Sequence, residues 1–177
     1  MPGTGMAVPM VSLSEAQAYV RVETGEEEAL LAGLVRTASA VCESFINQTA
    51  VARRFSERLA PIATWQRLSA RPVRSIASVS LEMIDGTATV LPAPSYAVDI
   101  DVEGCGWVRC LKPSSEGRLV VEGTAGMALD SNDVPEPLRQ GVMRLVAHLF
   151  ASRDGGGGEP PAAVTALWRP YRRMRLS

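Results

Sequence analysis

Residues 24–47 read TGEEEALLAGLVRTASAVCESFIN, and this stretch decides the architecture. Thr24-Gly25-Glu26-Glu27 has the form of a capping box, and the acidic run Glu26, Glu27 and Glu28 falls where a helix macrodipole favours negative charge. Behind it Leu31, Leu34, Ala38, Val41 and Phe45 recur at spacings of three and four, which predicts a helix with one apolar face running to about Asn47. Such a face needs a partner. Cys42 lies beside the stripe, and with no basic neighbour in sequence to stabilise a thiolate it reads as a small buried hydrophobe.

Working outward, Ser12-Leu13-Ser14-Glu15 is a second capping box, followed by Leu13, Ala16 and Val20 on one stripe of a short helix ending near Val22. The small, uncharged residues 1–10 read as a flexible arm, without the basic and apolar regions of a secretory signal. Towards the C-terminus, Asp133-Val134-Pro135-Glu136 announces a further helix, whose Leu138, Val142, Leu145 and Leu149 form the face expected to cover the first. Between the helices, residues 49–126 change to short β-rich runs. Ile76 to Ile84 and Thr87 to Leu91 form the clearest hairpin, with Asp85-Gly86 suited to a type I′ turn. Strands are also expected at Tyr96 to Ile100, Trp107 to Leu111 and Arg118 to Glu122, with prolines between the runs.

The expected fold class is therefore α+β: a helical bundle, with long helices near 25–47 and 134–153, carrying an inserted β-rich segment and a mobile C-terminal tail. The divisions are a flexible arm at 1–10, a helical core of 11–48 and 133–154, a β-rich insertion at 49–126, and a linker and basic tail at 155–177. The tail follows the run Gly155 to Gly158, four residues without a preferred backbone state. Pro160 to Trp168 fits a short helix that Pro170 stops.

The 177 residues are 46% hydrophobic, enough for one sizeable core, and with Arg144 and His148 interrupting runs such as Val142 to Ala151 no apolar run approaches the ~20 residues that span a bilayer, so the expectation is a soluble chain. Three cysteines form no dense disulfide framework and fit a reducing compartment. Net charge is −1, which argues against a surface that grips nucleic acid throughout. Its distribution alternates: residues 1–50 carry −4, residues 51–75 carry +5, residues 76–136 carry −7 and residues 137–177 carry +5. Complementary blocks of this kind suit copies that pack side by side, although a monomer's solvated faces can show the same pattern.

Catalytic chemistry finds little support. The one histidine, His148, falls mid-helix without an orienting partner in sequence. Cys105, Cys110 and His148 together would give three zinc ligands where structural sites use four. Asp99, Asp101 and Glu103 alternate along one run and so share a strand face, the usual pattern of a solvated surface. Neither a phosphate-binding loop nor a dinucleotide turn follows a predicted strand. The expectation is a protein that is not an enzyme and has no cofactor, no metal and no catalytic residues.

Four internal stretches and the closing segment together resemble the head-tail connector, or adaptor, family of long-tailed phages and gene transfer agents. These are Val11 to Val22 with the acidic cap and long helix, Arg71 to Val79, Val121 to Gly126, Val134 to Gln140 leading into Leu145 to Phe150, and Leu167 to Leu176. Their order and spacing carry the likeness over most of residues 11–176. The glycine run, where such proteins commonly continue a charged helix, and the length of the β segment depart from it.

The resemblance implies a structural subunit of a ring, expected to be dodecameric, under the portal at the capsid vertex of a virion or phage-like particle, assembled in the bacterial cytoplasm. The ring would extend the DNA channel, let double-stranded DNA pass without specific binding, and dock a downstream head-completion or tail protein; no membrane is involved. Trp168, Arg169, Tyr171, Arg172, Arg173 and Arg175 are the candidate portal-docking residues. The alternative is a DNA-binding module using the same arginine-rich tail.

Overall fold

A computed structural model describes residues 3–4, 7–22, 25, 27–152 and 159–173. The fold is α+β and falls into two compact units, one of Met1–Met6 with Ala52–Met127 and the other of Ala7–Val51 with Ala128–Ser177.

The first unit holds two antiparallel sheets. Strands β1 (Gly3–Thr4), β2 (Arg53–Leu59), β4 (Val73–Glu82), β5 (Ala88–Val90) and β8 (Arg118–Ala125) form one, in the order β1-β2-β8-β4-β5. Strands β3 (Gln66–Arg67), β6 (Tyr96–Ile100) and β7 (Gly106–Cys110) form the other, in the order β3-β7-β6. Alternation along the strands sends one side chain in two to a shared core. Phe55, Val79, Leu119 and Val121 come from the larger sheet, Val108 and Cys110 from the smaller, and Leu68 from the connection. Each fully buried valine or leucine there contributes about 1.5–3 kcal/mol.

Central strand β8 has a constriction at Gly123, opposite Phe55 on β2 and Ile76 on β4. A Cβ at Gly123 would collide with the Ser75 carbonyl oxygen on β4 and lie 2.9 and 3.0 Å from two carbons of the Phe55 ring, so the absent side chain makes room for both. Strand β2 also carries Glu57 into a buried position, where its carboxylate accepts from the Ser69 amide at 2.8 and 3.0 Å and from the Ser69 hydroxyl at 3.0 Å. A buried carboxylate needs such donors.

The β4–β5 hairpin forms, but its turn differs from expectation. Met83 N–H donates to Thr87 O and Gly86 N–H to Met83 O, leaving a three-residue loop, Ile84-Asp85-Gly86, with left-handed Gly86 at the end. This is a type I turn with a bulge, the next commonest hairpin solution after the two-residue turn. Asp85 accepts from the Thr87 amide at 2.8 Å and fixes it.

The second unit is helical: α1 (Leu13–Val20), α2 (Glu28–Ile46), α3 (Glu136–Ala151) and α4 (Ala162–Trp168). The capping box at Ser12 and Glu15 is present, and α1 ends on left-handed Arg21. The second expected box is not what starts α2. Thr24 and Glu26 lie outside the described residues, and the N-cap is Glu27, left-handed and without a side-chain cap bond. Likewise α3 begins at Glu136 with Pro135 as N-cap, while Asp133 closes the short 3-10 turn Ser131–Asp133.

Helix α2 packs on α3, as the two stripes require, but along a rotated face. Its buried residues are Leu31, Val35, Ala38, Ser39, Cys42, Glu43 and Ile46, with Leu34, Val41 and Phe45 half-buried beside them. Contrary to expectation, α2 is long and apolar enough to cross a membrane by length and composition. Its burial against α1, α3 and α4 and the inward Glu43, which accepts from the Ala50 amide at 2.8 Å, are the features of a core helix. The expected arm also ends earlier than residue 10. Gly3–Thr4 pairs with β2, and Met10 is fully buried, its amide donating to Ser39 Oγ at 3.2 Å.

Helices α1 and α3 are joined by the ion pair of Glu15 with Arg139, whose guanidinium also reaches Ser131 O and Asn132 Oδ1. The Ser12 backbone amide first, and the Ser12 hydroxyl and Arg139 after it, hold the Glu15 carboxyl below its usual range against an opposing effect of burial. A carboxylate depressed in the folded state contributes stability that is present above its unfolded value and lost as pH falls through the folded one. Unfolding free energy is therefore expected to decline as pH drops below 4.5, and Glu15→Gln to flatten that decline. Denaturant titrations at intervals from about pH 3 to 6 check this, and equal pH slopes in the two proteins would exclude it.

Candidate functional site

The residues singled out for docking fall on a segment that begins with α4 and continues through the 3-10 turn Arg169–Tyr171. Gly141, in the middle of α3, opens a notch in that helix, and the Trp168 indole fills it. A Cβ at Gly141 would lie 2.7 Å from Trp168 Cε2 and 2.8 Å from Cδ1. Trp168 is 0% exposed and its Nε1 donates to Leu138 O at 3.3 Å. A buried indole N–H needs such an acceptor.

The Phe45 ring meets Trp168 at 5.8 Å between centroids, tilted by 54°, and the Arg172 guanidinium stands 5.4 Å over that same Phe45 ring. The chain then closes on the end of α2. Arg173 N–H donates to Ile46 O at 3.0 Å, Gln48 Nε2 to Tyr171 O at 2.6 Å and Asn47 Nδ2 to Arg173 O at 3.3 Å. Carbonyls at a helix C-terminus lack intrahelical donors, and this segment supplies one together with cationic side chains that the macrodipole favours.

The expected mobile tail is thus corrected for residues 159–173, which are docked. The anchor is an indole matched to a glycine notch, a long-range fit that outweighs the cost of ordering the segment. Gly155 to Gly158 and Arg175 lie outside the described residues. Trp168 belongs to the helical core, so its surface is not available to a partner. Arg169, Arg172 and Arg173 are exposed and Tyr171 is half-buried.

The groups considered for chemistry are dispersed. His148 is exposed on α3, whereas Cys105 and Cys110 are buried in the β unit, and among the described residues no three His, Cys, Asp or Glu side chains converge. Burial, with Glu43 adding to it, pushes the Cys42 thiol well above its usual range. Asp101 does not share a strand face with Asp99, because β6 ends at Ile100. It anchors the following turn instead, accepting from the amides of Glu103 and Cys105 at 2.9 Å and from Trp107 Nε1 at 3.2 Å. The Cys105 amide is the main reason its carboxyl is held below the usual range. An open groove in the β unit holds Arg58 and Glu82, but these already pair through two bonds of 2.7 and 3.0 Å.

No protein-family model matches the chain. No curated protein matches it. Among solved structures it is similar to a chain in the neck of the empty GTA particle computed with C6 symmetry, with 26% identity and a TM-score of 0.79. That alignment covers 100% of this chain and 97% of the other. The chain shares its fold with a neck component of a gene transfer agent (GTA) particle.

The fold recurs in a chain of the virion of the native GTA particle, at 24% identity and TM-score 0.77. It recurs again in the neck of the native GTA particle computed with C12 symmetry, at 24% and 0.76. Both alignments cover 100% of this chain and 97% of the neighbour. Sequence reasoning missed two features of this neck-type fold. Strand β2 was hidden because buried Glu57 breaks its apolar alternation, and the tail's dock was signalled only by a lone glycine inside a helical pattern.

Proposed function

We propose that the chain is a neck subunit of a phage-like particle: a ring-forming head-tail adaptor under the portal that extends the DNA channel and receives the next tail component. The observation that carries this reading is the full-length match to the neck of the empty GTA particle. The symmetries of the related necks support a ring, and closed head-to-tail rings require two different complementary faces on each subunit. The function is mechanical. Subunits pack, the ring closes and DNA passes.

Within that role the docked C-terminal segment is the portal contact. Trp168 fixes the segment on the subunit's own helices, and Arg169, Tyr171, Arg172 and Arg173 face outward from it, with Arg175 beyond. A pre-ordered cationic face loses less entropy on binding than a free tail would. The test is electron microscopy and affinity measurement of the purified chain with its portal. Rings on the portal are expected, and Arg169→Glu, at an exposed position, should weaken binding by about tenfold or more while leaving the fold intact. Unchanged affinity would remove the segment from the contact. Tight binding to duplex DNA with a steep salt dependence, without portal binding, would favour the DNA-binding reading instead.

A further inference from the structure

The outer face of the three-stranded sheet is unlike the rest of the β unit. Antiparallel partners share a face, so the register of Arg67 with Trp107 and the stacking of the Arg109 guanidinium 4.8 Å over Trp65 bring two arginines and two of the chain's three tryptophans onto one surface. That side faces away from the core residues Val108 and Cys110, and Leu111 continues it. Trp65 is 43% exposed. The Asp101 carboxylate fixes Trp107, and Arg109 Nε is enclosed without a hydrogen-bond partner. Asp99 is exposed on the same side and with Asp101 balances the two arginines in number, but Asp101 is already engaged by the Glu103 and Cys105 amides and by Trp107. Trp and Arg in a part-desolvated cluster are the residue types that dominate binding energy at protein interfaces.

The same chain carries a surface of opposite character in its helical unit. Leu129 is 70% exposed on a turn whose flanking carboxylates Asp130, Asp133 and Glu136 are all exposed. The turn is held rigidly. Ala128 N–H donates to Ala50 O at 2.9 Å on one side, Val134 is buried on the other, and Asp130 accepts from the Asn132 amide at 2.9 Å between them. An apolar knob ringed by acids matches an aromatic floor set with arginines, in charge and in polarity.

We propose that these two surfaces are the complementary sides of the subunit–subunit contact: the Leu129 knob of one copy seats on the Trp65, Arg67, Trp107 and Arg109 face of the next. The pairing rests on the ring reading above and names its contact. Each copy carries one of each surface, as a head-to-tail ring requires.

The test uses full-length chains assembled on the portal, with copies per portal counted by mass measurement and microscopy. Arg67→Glu with Arg109→Glu sets new carboxylates against the acidic knob, and Asp130→Arg with Asp133→Arg sets new guanidiniums against the two arginines of the face. Each variant alone should lose ring occupancy about tenfold or more, while an equimolar mixture should recover it, because only unlike neighbours then attract. Recovery also shows that both variants fold. Trp65→Ser with Arg67→Glu, at more exposed positions, serves if the first double variant does not fold, and should likewise lose occupancy. Wild-type occupancy in any variant, or no recovery from folded partners, overturns this pairing and leaves the ring reading standing. Protection of Trp65 by a single-stranded oligonucleotide with no effect of the variants on assembly would make the face a nucleic-acid surface instead, and overturn it too. If the wild-type chain itself makes no ring on the portal, the neck reading fails first.

Discussion

Truncating Trp168 to alanine is expected to lower the unfolding free energy by about 3–5 kcal/mol, the range for removing a large buried aromatic. The loss has three sources. The notch at Gly141 becomes a cavity, Phe45 loses its aromatic neighbour, and the segment that supplies a donor to Ile46 O loses its anchor. Urea unfolding followed by circular dichroism would read the change as a lower midpoint. Gly141→Ala reaches the same contact from the other side and should cost about 1–3 kcal/mol, because the new methyl would collide with the indole. The two should be strongly non-additive, since the alanine at 141 has room once the indole is gone. A Trp168→Ala protein within about 1 kcal/mol of the parent would mean that the segment is not docked as described.

The second large effect belongs to the β unit. Gly123→Val should cost about 3 kcal/mol, at the upper end of what overpacking usually costs. The valine would enter the central strand of the larger sheet, where its Cβ would collide with the Ser75 carbonyl oxygen and come within 2.9 Å of the Phe55 ring. Phe55 cannot move aside cheaply, being itself buried in the core between the sheets. Hydrogen exchange gives the sharper readout: amides of β8 and of its neighbours β2 and β4 should lose protection while those of α2 and α3 keep theirs. Unaltered exchange in β8 would count against the packing described at this glycine.

These two sites also mark the boundary of what the residue pattern reveals. The box at Ser12 and Glu15 was legible because it is closed by atoms three residues apart, whereas the turn at Asp85-Gly86 and the cap at Asp133 took other forms. The strand spans 96–100 and 107–111 were legible because alternation is itself local. Helix α2 was harder. Apolar residues occupy most of its circumference, so both Leu34-Val41-Phe45 and Val35-Cys42-Ile46 are plausible stripes, and only the surrounding helices select the second. The tail misled for a related reason. Glycine and arginine content reads as mobility, whereas the complement of Trp168 lies 27 positions earlier as a missing side chain on α3. Of the candidate docking set, composition identified the cations that remain exposed but could not separate them from the tryptophan that holds them in place.

The bond from the Arg173 amide to Ile46 O has a further consequence, for the timing of biogenesis. A chain emerging from the ribosome releases the whole β segment, residues 52–127, before α3 and α4 exist, so the sheets can close early. The helical unit cannot. Its first long helix waits for Arg173, 127 positions after Ile46, to complete its end, and a product terminated before that residue would carry finished sheets and an open bundle.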